Sequence, residues 1–297
     1  MSAAATPESI VGTELSFGDE RWRLTQYLAS GGLAHLFLAR PAGPATREVA
    51  VAKVLRPELD DRKDACARFE REARAGIRVK HANVVEVFAP AVRSSGLHWF
   101  LAEHLVGVDL ADLLASQKRL APARAIRVVL AAGRGLAAAH DAGVTHRDVK
   151  PENIFLVHSA DGREIPKIVD FGSAWIAGED APVSHNRRIT VTTGFVGTPG
   201  YLAPEQAEGV VGAPPADIYS LGVVLFEAVT GAAPFRGRTW VELVHQHATV
   251  PPPPARGASP ALEAIIHRAL AKDPGARYET MSQFIEALAS VPEVAAT

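Results

Sequence analysis

Cysteine is nearly absent from this sequence: Cys66 is the only one in 297 residues. A lone cysteine excludes an intramolecular disulfide framework and suits a reducing compartment, so a cytoplasmic protein is expected. Long apolar runs are missing too. The longest candidate, residues 221–229, is broken by Glu227 and falls short of the ~20 residues that cross a bilayer, so no membrane segment is expected. Neither sign of charge dominates: 31 Lys and Arg stand against 33 Asp and Glu, a net charge of −2. That balance argues against a nucleic-acid or anionic-membrane partner. Residues 1–9 lack the basic stretch and apolar core of a secretory signal. Their Ala, Thr, Pro and Ser content reads as flexible, and tails are expected over 1–21 and 292–297.

What is present is ordinary for a globular enzyme, with 47% apolar and 22% charged residues. The chain is long enough for one large domain or for two lobes with separate cores. Between residues 22 and 102 the signals are short aliphatic runs, at 27–28, 36–38, 49–55, 83–87 and 98–102, separated by turn residues. One helix interrupts them at 64–80, with Phe69, Ala73 and Ile77 four apart on one face; Gly76 inside it would cost about 1 kcal/mol relative to Ala. After residue 106 the pattern turns helical. Pro122 suits the first position of a helix running to His140, and Gly143 suits its stop. Residues 218–230 are apolar nearly all round, as in a helix buried at the centre of a lobe, and amphipathic helices are expected at 260–271 and 280–290. No repeat is visible. The expectation is an α+β, bilobal chain: a small lobe of antiparallel sheet plus one helix over 22–105, and a larger, mainly helical lobe over 106–291. A ligand is expected in a cleft between such lobes.

The chemistry concentrates in three segments. His146, Arg147 and Asp148 are followed after four residues by Asn153. Asp170, Phe171 and Gly172 come next, and Ala203, Pro204 and Glu205 after them. In this order and spacing they resemble the catalytic loop, metal motif and following segment of the protein-kinase family, and in particular the eukaryotic-like Ser/Thr kinases of bacteria. The resemblance covers residues 22–291, and it implies a bilobal protein-kinase-like fold with ATP held between the lobes.

It further implies a Ser/Thr protein kinase with a role for each matching residue. Phosphoryl transfer needs positioning and charge neutralisation more than covalent chemistry. Asp148 is the base that accepts the substrate hydroxyl's proton, and Lys150 lies against the γ-phosphate. Asn153 and Asp170 offer hard oxygens to Mg²⁺, with Mn²⁺ as the other admissible ion. Lys53, in a segment similar to the family's third strand, pairs the α- and β-phosphates, and Glu72 holds it by an ion pair. Leu28, Ala29, Ser30, Gly31, Gly32, Leu33, Ala34 and Leu36 occupy the phosphate loop, where the family pattern of three glycines keeps only Gly31 in register. Gly31 and Gly32 would bring backbone N–H groups close to phosphate, although a plain hairpin turn explains them equally well. Glu103 and Leu105 mark the hinge whose backbone meets adenine, with Ala102 just before it where the family usually carries a larger side chain. Asp109 would accept from a ribose hydroxyl, or else be a solvated residue at the start of a helix. Glu205 with Arg277 resembles a buried ion pair, and Asp217 would bind the catalytic-loop backbone.

The expected partners are ATP and protein substrates. Thr190 and Thr192 align with autophosphorylated threonines of bacterial relatives, with Thr193 as a further acceptor, unless all three are solvated loop residues; phosphorylation would make a second copy of the chain a partner, and Arg147 would receive the phosphate. His245 and His247 alternate as metal ligands do, but with no further ligand nearby they read as a helix surface. The alternative from another class is a pseudokinase scaffold that binds nucleotide without turnover. It usually lacks the equivalent of Lys53, Asp148 or Asp170, and all three are present.

Overall fold

The computed structural model of the chain describes residues 6–45, 47–159, 161–179, 198–209 and 214–295. They form an α+β protein that divides into two compact units, Met1–Lys80 with Val85–Val106, and His81–Val84 with Gly107–Thr297.

The first unit is built on a six-stranded antiparallel sheet. Its strands are β1 (Glu14–Phe17), β2 (Glu20–Ser30), β3 (Ala34–Pro41), β4 (Ala50–Leu55), β5 (Val87–Ser94) and β6 (Leu97–Ala102), in spatial order β1-β2-β3-β4-β6-β5. Successive side chains on a strand point to opposite faces, and β6 shows the consequence. Trp99 and Leu101 enter a core with Leu15, Trp22, Leu24 and Phe37. Phe100 and Ala102 face the other way, toward Phe69 and Ala73 of helix α1 (Lys63–Arg78). Ala65, Phe69 and Ala73, each four residues from the next, form the buried stripe of that helix. Gly76 is there for close approach, since a Cβ would fall 2.4 Å from Val87 Cγ2. The helix-propensity cost expected at that position is therefore outweighed by packing.

The expected tail over 1–21 is corrected. Pro7–Ile10 is a 3-10 turn, and β1 pairs with β2 with Leu15 fully buried. Gly18 and Asp19 join the two strands as a two-residue hairpin, with Gly18 at φ +57° in the first central position, where a II′ turn takes glycine. The strand expected at 83–87 is displaced as well: β5 begins at Val87, and Asn83 and Val84 belong to the second unit. There Ile168 N donates to Asn83 O at 2.8 Å and Asn83 Nδ2 to Pro166 O at 2.7 Å. A short apolar run announces a strand but not its partner.

The second unit opens with β7 (Gly107–Asp109), α2 (Leu110–Gln117) and α3 (Pro122–Asp141). Pro122 starts α3, and Gly143, at φ +73°, follows its end. Short strands then carry the chain: β8 (Val144–Thr145), β9 (Ile154–His158), β10 (Glu164–Ile168) and β11 (Trp175–Ile176). They make a three-stranded sheet β10-β9-β7 and a two-stranded β11-β8. The remaining helices are α4 (Pro204–Ala207), α5 (Pro214–Thr230), α6 (Trp240–Thr249), α7 (Pro260–Ala269), α8 (Met281–Ala289) and α9 (Pro292–Ala295). From Ala216 to Phe226 every residue of α5 is buried, as a helix apolar nearly all round requires. The expected carboxyl-terminal tail is corrected by α9, whose Glu293 Oε1 accepts from Ser259 N at 3.2 Å.

Candidate active site

In the first unit, Lys53 of β4 lies in register between Leu36 of β3 and Phe100 of β6. Its Nζ donates to Glu72 Oε1 of α1 at 2.5 Å, with Glu72 7% exposed. A strand and a helix thus hold a lysine and a carboxylate together, as expected. Ser30 and Ala34 bracket the turn between β2 and β3, closed by a Gly31 N to Ala34 O hydrogen bond of 2.8 Å. Neither Gly31 nor Gly32 takes a left-handed φ, and a Cβ on Gly32 would meet nothing within 4 Å. The turn's own geometry therefore does not demand glycine at either position. Ser30 Oγ is 2.6 Å from His35 Nδ1 and accepts from Tyr27 OH at 2.8 Å. Leu28 and Ala29 end β2, and Leu36 lies in β3. Glu103 N donates to Glu86 O at 2.9 Å, and its own carboxylate accepts from Glu86 N at 2.8 Å, anchoring the segment that continues to Leu105. Ala102 is buried, in register with Val51 on one side and Val87 on the other.

In the second unit, β8 and β9 bracket the loop that carries His146 to Asn153. Its backbone is fixed from below by Asp217, fully buried in the first turn of α5. Asp217 Oδ2 accepts from His146 N at 2.9 Å and Oδ1 from Arg147 N at 2.8 Å, and His140 Nε2 lies 2.8 Å from Oδ2. Burial acts to raise the Asp217 carboxyl, but the His140 hydrogen bond, the charges of His140 and His146 and the Arg147 amide outweigh it and hold the group below its ordinary value. Arg147 takes φ +70°, a costly conformation for a non-glycine residue. It is held there by its amide on Asp217 and by its carbonyl, which accepts from Gln206 Nε2 at 3.0 Å.

The polar groups of this loop converge on Asp148. Lys150 Nζ lies 2.9 Å from Asp148 Oδ2, and Asn153 Nδ2 donates to Asp148 O at 2.8 Å. Asp148 Oδ1 accepts from Thr198 N at 3.0 Å and from Thr198 Oγ1 at 3.1 Å, while Lys150 Nζ donates to that same hydroxyl at 2.7 Å. Thr198 is a site residue that sequence reasoning passed over. Nothing local to it in the sequence says that its hydroxyl returns to a loop fifty residues earlier. Asp170 also has a left-handed φ, +62°, and its Oδ1 accepts from Gly172 N at 3.1 Å. His146, fully buried, packs its ring 4.8 Å from that of Phe171 and sets Nε2 3.1 Å from Val169 O, tying the two motifs together. Asn153, with its amide nitrogen spent on Asp148 O, and Asp170 present oxygen donors, a set suited to a hard divalent ion.

Other expected residues take structural places. Asp109 caps α2 with one carboxylate oxygen, its Oδ1 accepting from Asp112 N at 2.8 Å. Glu205 and Arg277 form the expected buried pair, bidentate at 2.7 and 2.8 Å. His247 is corrected: it is 1% exposed, with Nδ1 2.9 Å from Tyr219 OH and its ring against Phe235, while His245 is exposed. Helical spacing put these two histidines on different faces, and only one of those faces is packed. Thr190, Thr192 and Thr193 lie outside the described residues. Among the described residues no helix is long and apolar enough to cross a membrane.

Comparison with known proteins places these features in a family. The family model described as the protein kinase domain matches residues 22–288. The serine/threonine-protein kinase pkn3 of Myxococcus xanthus is 35% identical over 297 residues, 96% of this chain and 52% of that protein. PknB of Mycolicibacterium smegmatis, also named a serine/threonine-protein kinase, is 36% identical over 92% of this chain and 43% of its own length. PrkC of Bacillus subtilis is 32% identical over 88% of this chain and 39% of its own. The chain therefore spans about half the length, or less, of these curated relatives.

Proposed function

The chain belongs to the protein kinase family, and from that premise we propose that it transfers the γ-phosphate of ATP to Ser and Thr hydroxyls of proteins. The observation that carries the reading is the convergence of Lys150, Thr198 and Asn153 on Asp148. Asp148 accepts the proton of the incoming hydroxyl and orients its oxygen, and Lys150 offsets charge on the transferring phosphoryl group. Lys53, fixed by Glu72, pairs the α- and β-phosphates. The turn at Gly31 and Gly32 offers backbone N–H groups to phosphate, a use supported by the lack of any conformational need for glycine there. Leu28, Ala29, Ser30, Leu33, Ala34 and Leu36 line the nucleotide, with the backbone of Glu103 and Leu105 at adenine and Asp109 near the ribose. Asn153 and Asp170 would hold Mg²⁺, which when bound would supply positive charge against that of the phosphate groups. The single cysteine fits a cytoplasmic setting for this activity.

The test is incubation with labelled ATP, Mg²⁺ and a generic basic protein. Label transfer is expected from the wild type, and loss by roughly 10² to 10⁴ from Lys53→Met, Asp148→Asn and Asp170→Asn. Wild-type turnover in Asp148→Asn would exclude the assigned base. Nucleotide binding with no transfer by the wild type would favour the scaffold reading, for which no observation speaks. The same reading includes autophosphorylation, in one copy by another, at Thr190 or Thr192, with Thr193 as a third acceptor, and higher activity afterwards. Mass spectrometry of the active enzyme tests it, and a segment free of phosphate there rules it out.

A further inference from the structure

Away from every residue given a role above, three side chains from separate segments of the first unit meet. Asp60 follows the 3-10 turn Pro57–Leu59, Cys66 lies in the first turns of α1, and His98 lies in β6. One oxygen, the sulfur and one ring nitrogen of these residues all fall within 4.8 Å of one another. Asp60 Oδ1 is 4.0 Å from His98 Nδ1, and both atoms are buried with no hydrogen-bond partner. Orphaned buried polar atoms are uncommon in folded proteins and call for an explanation. His98 is only 4% exposed, and its ring is clamped edge-on by Phe69, 5.0 Å between centroids. It cannot swing out to find water.

We propose that Asp60, Cys66 and His98 form a binding site for a single divalent cation of the zinc class. Oxygen, sulfur and nitrogen donors together are the ligand set of borderline-soft ions. Ordinary metal–ligand lengths in tetrahedral geometry place such donors about 3.3–3.6 Å apart, so a cluster whose donors lie within 4.8 Å of one another has to contract by at most about 1.5 Å. The surroundings match the demands of the first ligands. His98 turns its other nitrogen, Nε2, toward Glu70 Oε1 at 3.7 Å, the carboxylate that a metal-bound imidazole usually has behind it. Asp60 is steadied through its second oxygen, Oδ2, which accepts from Arg93 Nη1 at 2.5 Å. Arg93 Nη2 donates to Cys66 Sγ at 3.5 Å, so one guanidinium steadies two of the three ligands.

The formal charges close. Asp60, the Cys66 thiolate and Glu70 contribute three negative charges, and Arg93 with a divalent ion contributes three positive ones. Without metal the Cys66 thiol donates to Asp60 O at 3.2 Å. Binding breaks that S–H bond, forms a sulfur–metal bond and releases the proton to solvent. The fourth position is open to water, since Asp60 and Cys66 are only partly buried. Cys66 and Glu72 share α1, so an ion here would tie the start of the helix that carries Glu72 to strand β6.

Cobalt(II) titration of the chelator-treated chain tests the site, because cobalt reports thiolate ligation by a charge-transfer band. With Cys66 as the only cysteine, such a band can come from no other residue, and metal at Asn153 and Asp170 would not produce it. The expected result is a band saturating at one cobalt per chain, bleached by one equivalent of zinc. Cys66→Ser should lose the band, and Glu70→Gln should weaken binding roughly tenfold or more. No band at one equivalent, a band saturating at half an equivalent because two chains share the ion, or unchanged zinc affinity in Cys66→Ser would each overturn the proposal. The cobalt result on the wild type stands even if a variant folds poorly.

Discussion

Arg277 offers the sharpest quantitative test of the packing. Its side chain is fully buried, and all five of its N–H groups have acceptors. Nε donates to Ala271 O at 2.7 Å, Nη1 to Glu205 Oε1 at 2.7 Å and Pro215 O at 2.9 Å, and Nη2 to Glu205 Oε2 at 2.8 Å and Lys272 O at 3.1 Å. The guanidinium also lies over the Tyr219 ring, 4.8 Å from its centroid. Arg277→Met removes every one of these donors and leaves the Glu205 carboxylate, 8% exposed, without its counter-charge. Stranding one partner of a buried pair costs about 3–5 kcal/mol. At roughly 2–4 °C per kcal/mol for a chain somewhat smaller than this one, the melting temperature should fall by about 10 °C. Glu205→Gln keeps the shape but loses the charge and turns an amide N–H₂ toward a guanidinium nitrogen, so a loss of about 3 kcal/mol is expected. The double variant Glu205→Leu with Arg277→Met buries no lone charge, and its loss should fall short of the sum of Arg277→Met and Glu205→Leu alone by about 1.5–3 kcal/mol. Urea and thermal denaturation of these variants and the wild type supply the comparison. Single losses below 1 kcal/mol, or strictly additive losses, would refute the reasoning.

Thr198→Val removes the hydroxyl shared by Asp148 and Lys150 and should lower kcat about 10- to 100-fold, at about 1.5–3 kcal/mol for a charge-assisted hydrogen bond, while Thr198→Ser stays near wild type; equal kcat in Val and Ser variants would show the hydroxyl to be idle. Gly76→Ala should destabilise the fold by about 1–3 kcal/mol despite the better helix propensity of Ala, because its Cβ would strike Val87; a rise in melting temperature would disprove the clash. Burial, and then the charge of Lys272, lower His247 to about 4. An unfolded chain therefore binds this proton first as pH drops below about 6.5, and stability contributed by the neutral ring is lost between there and pH 4, on the order of 3 kcal/mol. His247→Gln should show a shallower decline over that window by denaturant titration, and parallel curves would contradict the assignment.

The elements that sequence periodicity announced are those whose burial is decided locally. Phe69 and Ala73 on α1 and the nearly all-apolar run of α5 each state a helix and its buried face without reference to anything distant, whereas Ile77, expected on the same stripe, is only partly buried. Pro122 and Gly143 bound α3 for reasons confined to their own backbones. Strand β1 was not read, because a four-residue strand near a Pro- and Ala-rich start reads as tail until its partner is known. The short strands β8 to β11 left no signal, since two to five residues are too few for alternation to show.

The sequence by itself determined the chemical inventory of the candidate site. His146, Arg147, Asp148, Lys150 and Asn153 fall within eight consecutive residues, so one loop delivers them together however the rest of the chain packs. Lys53 and Glu72 were paired through the resemblance to the protein-kinase family, not through their own spacing. Only the tertiary structure decided what reaches these groups from far along the chain. His140 steadies Asp217 beneath the loop, Thr198 returns to Asp148, Asp109 caps a helix with one oxygen, and His247 is buried where its neighbour His245 is not. The cluster of Asp60, Cys66 and His98 belongs to the same class, drawn from a turn, a helix and a strand. Periodicity records which way a side chain points from its own element. What it meets there depends on how separate elements pack, and that information is spread over the whole chain.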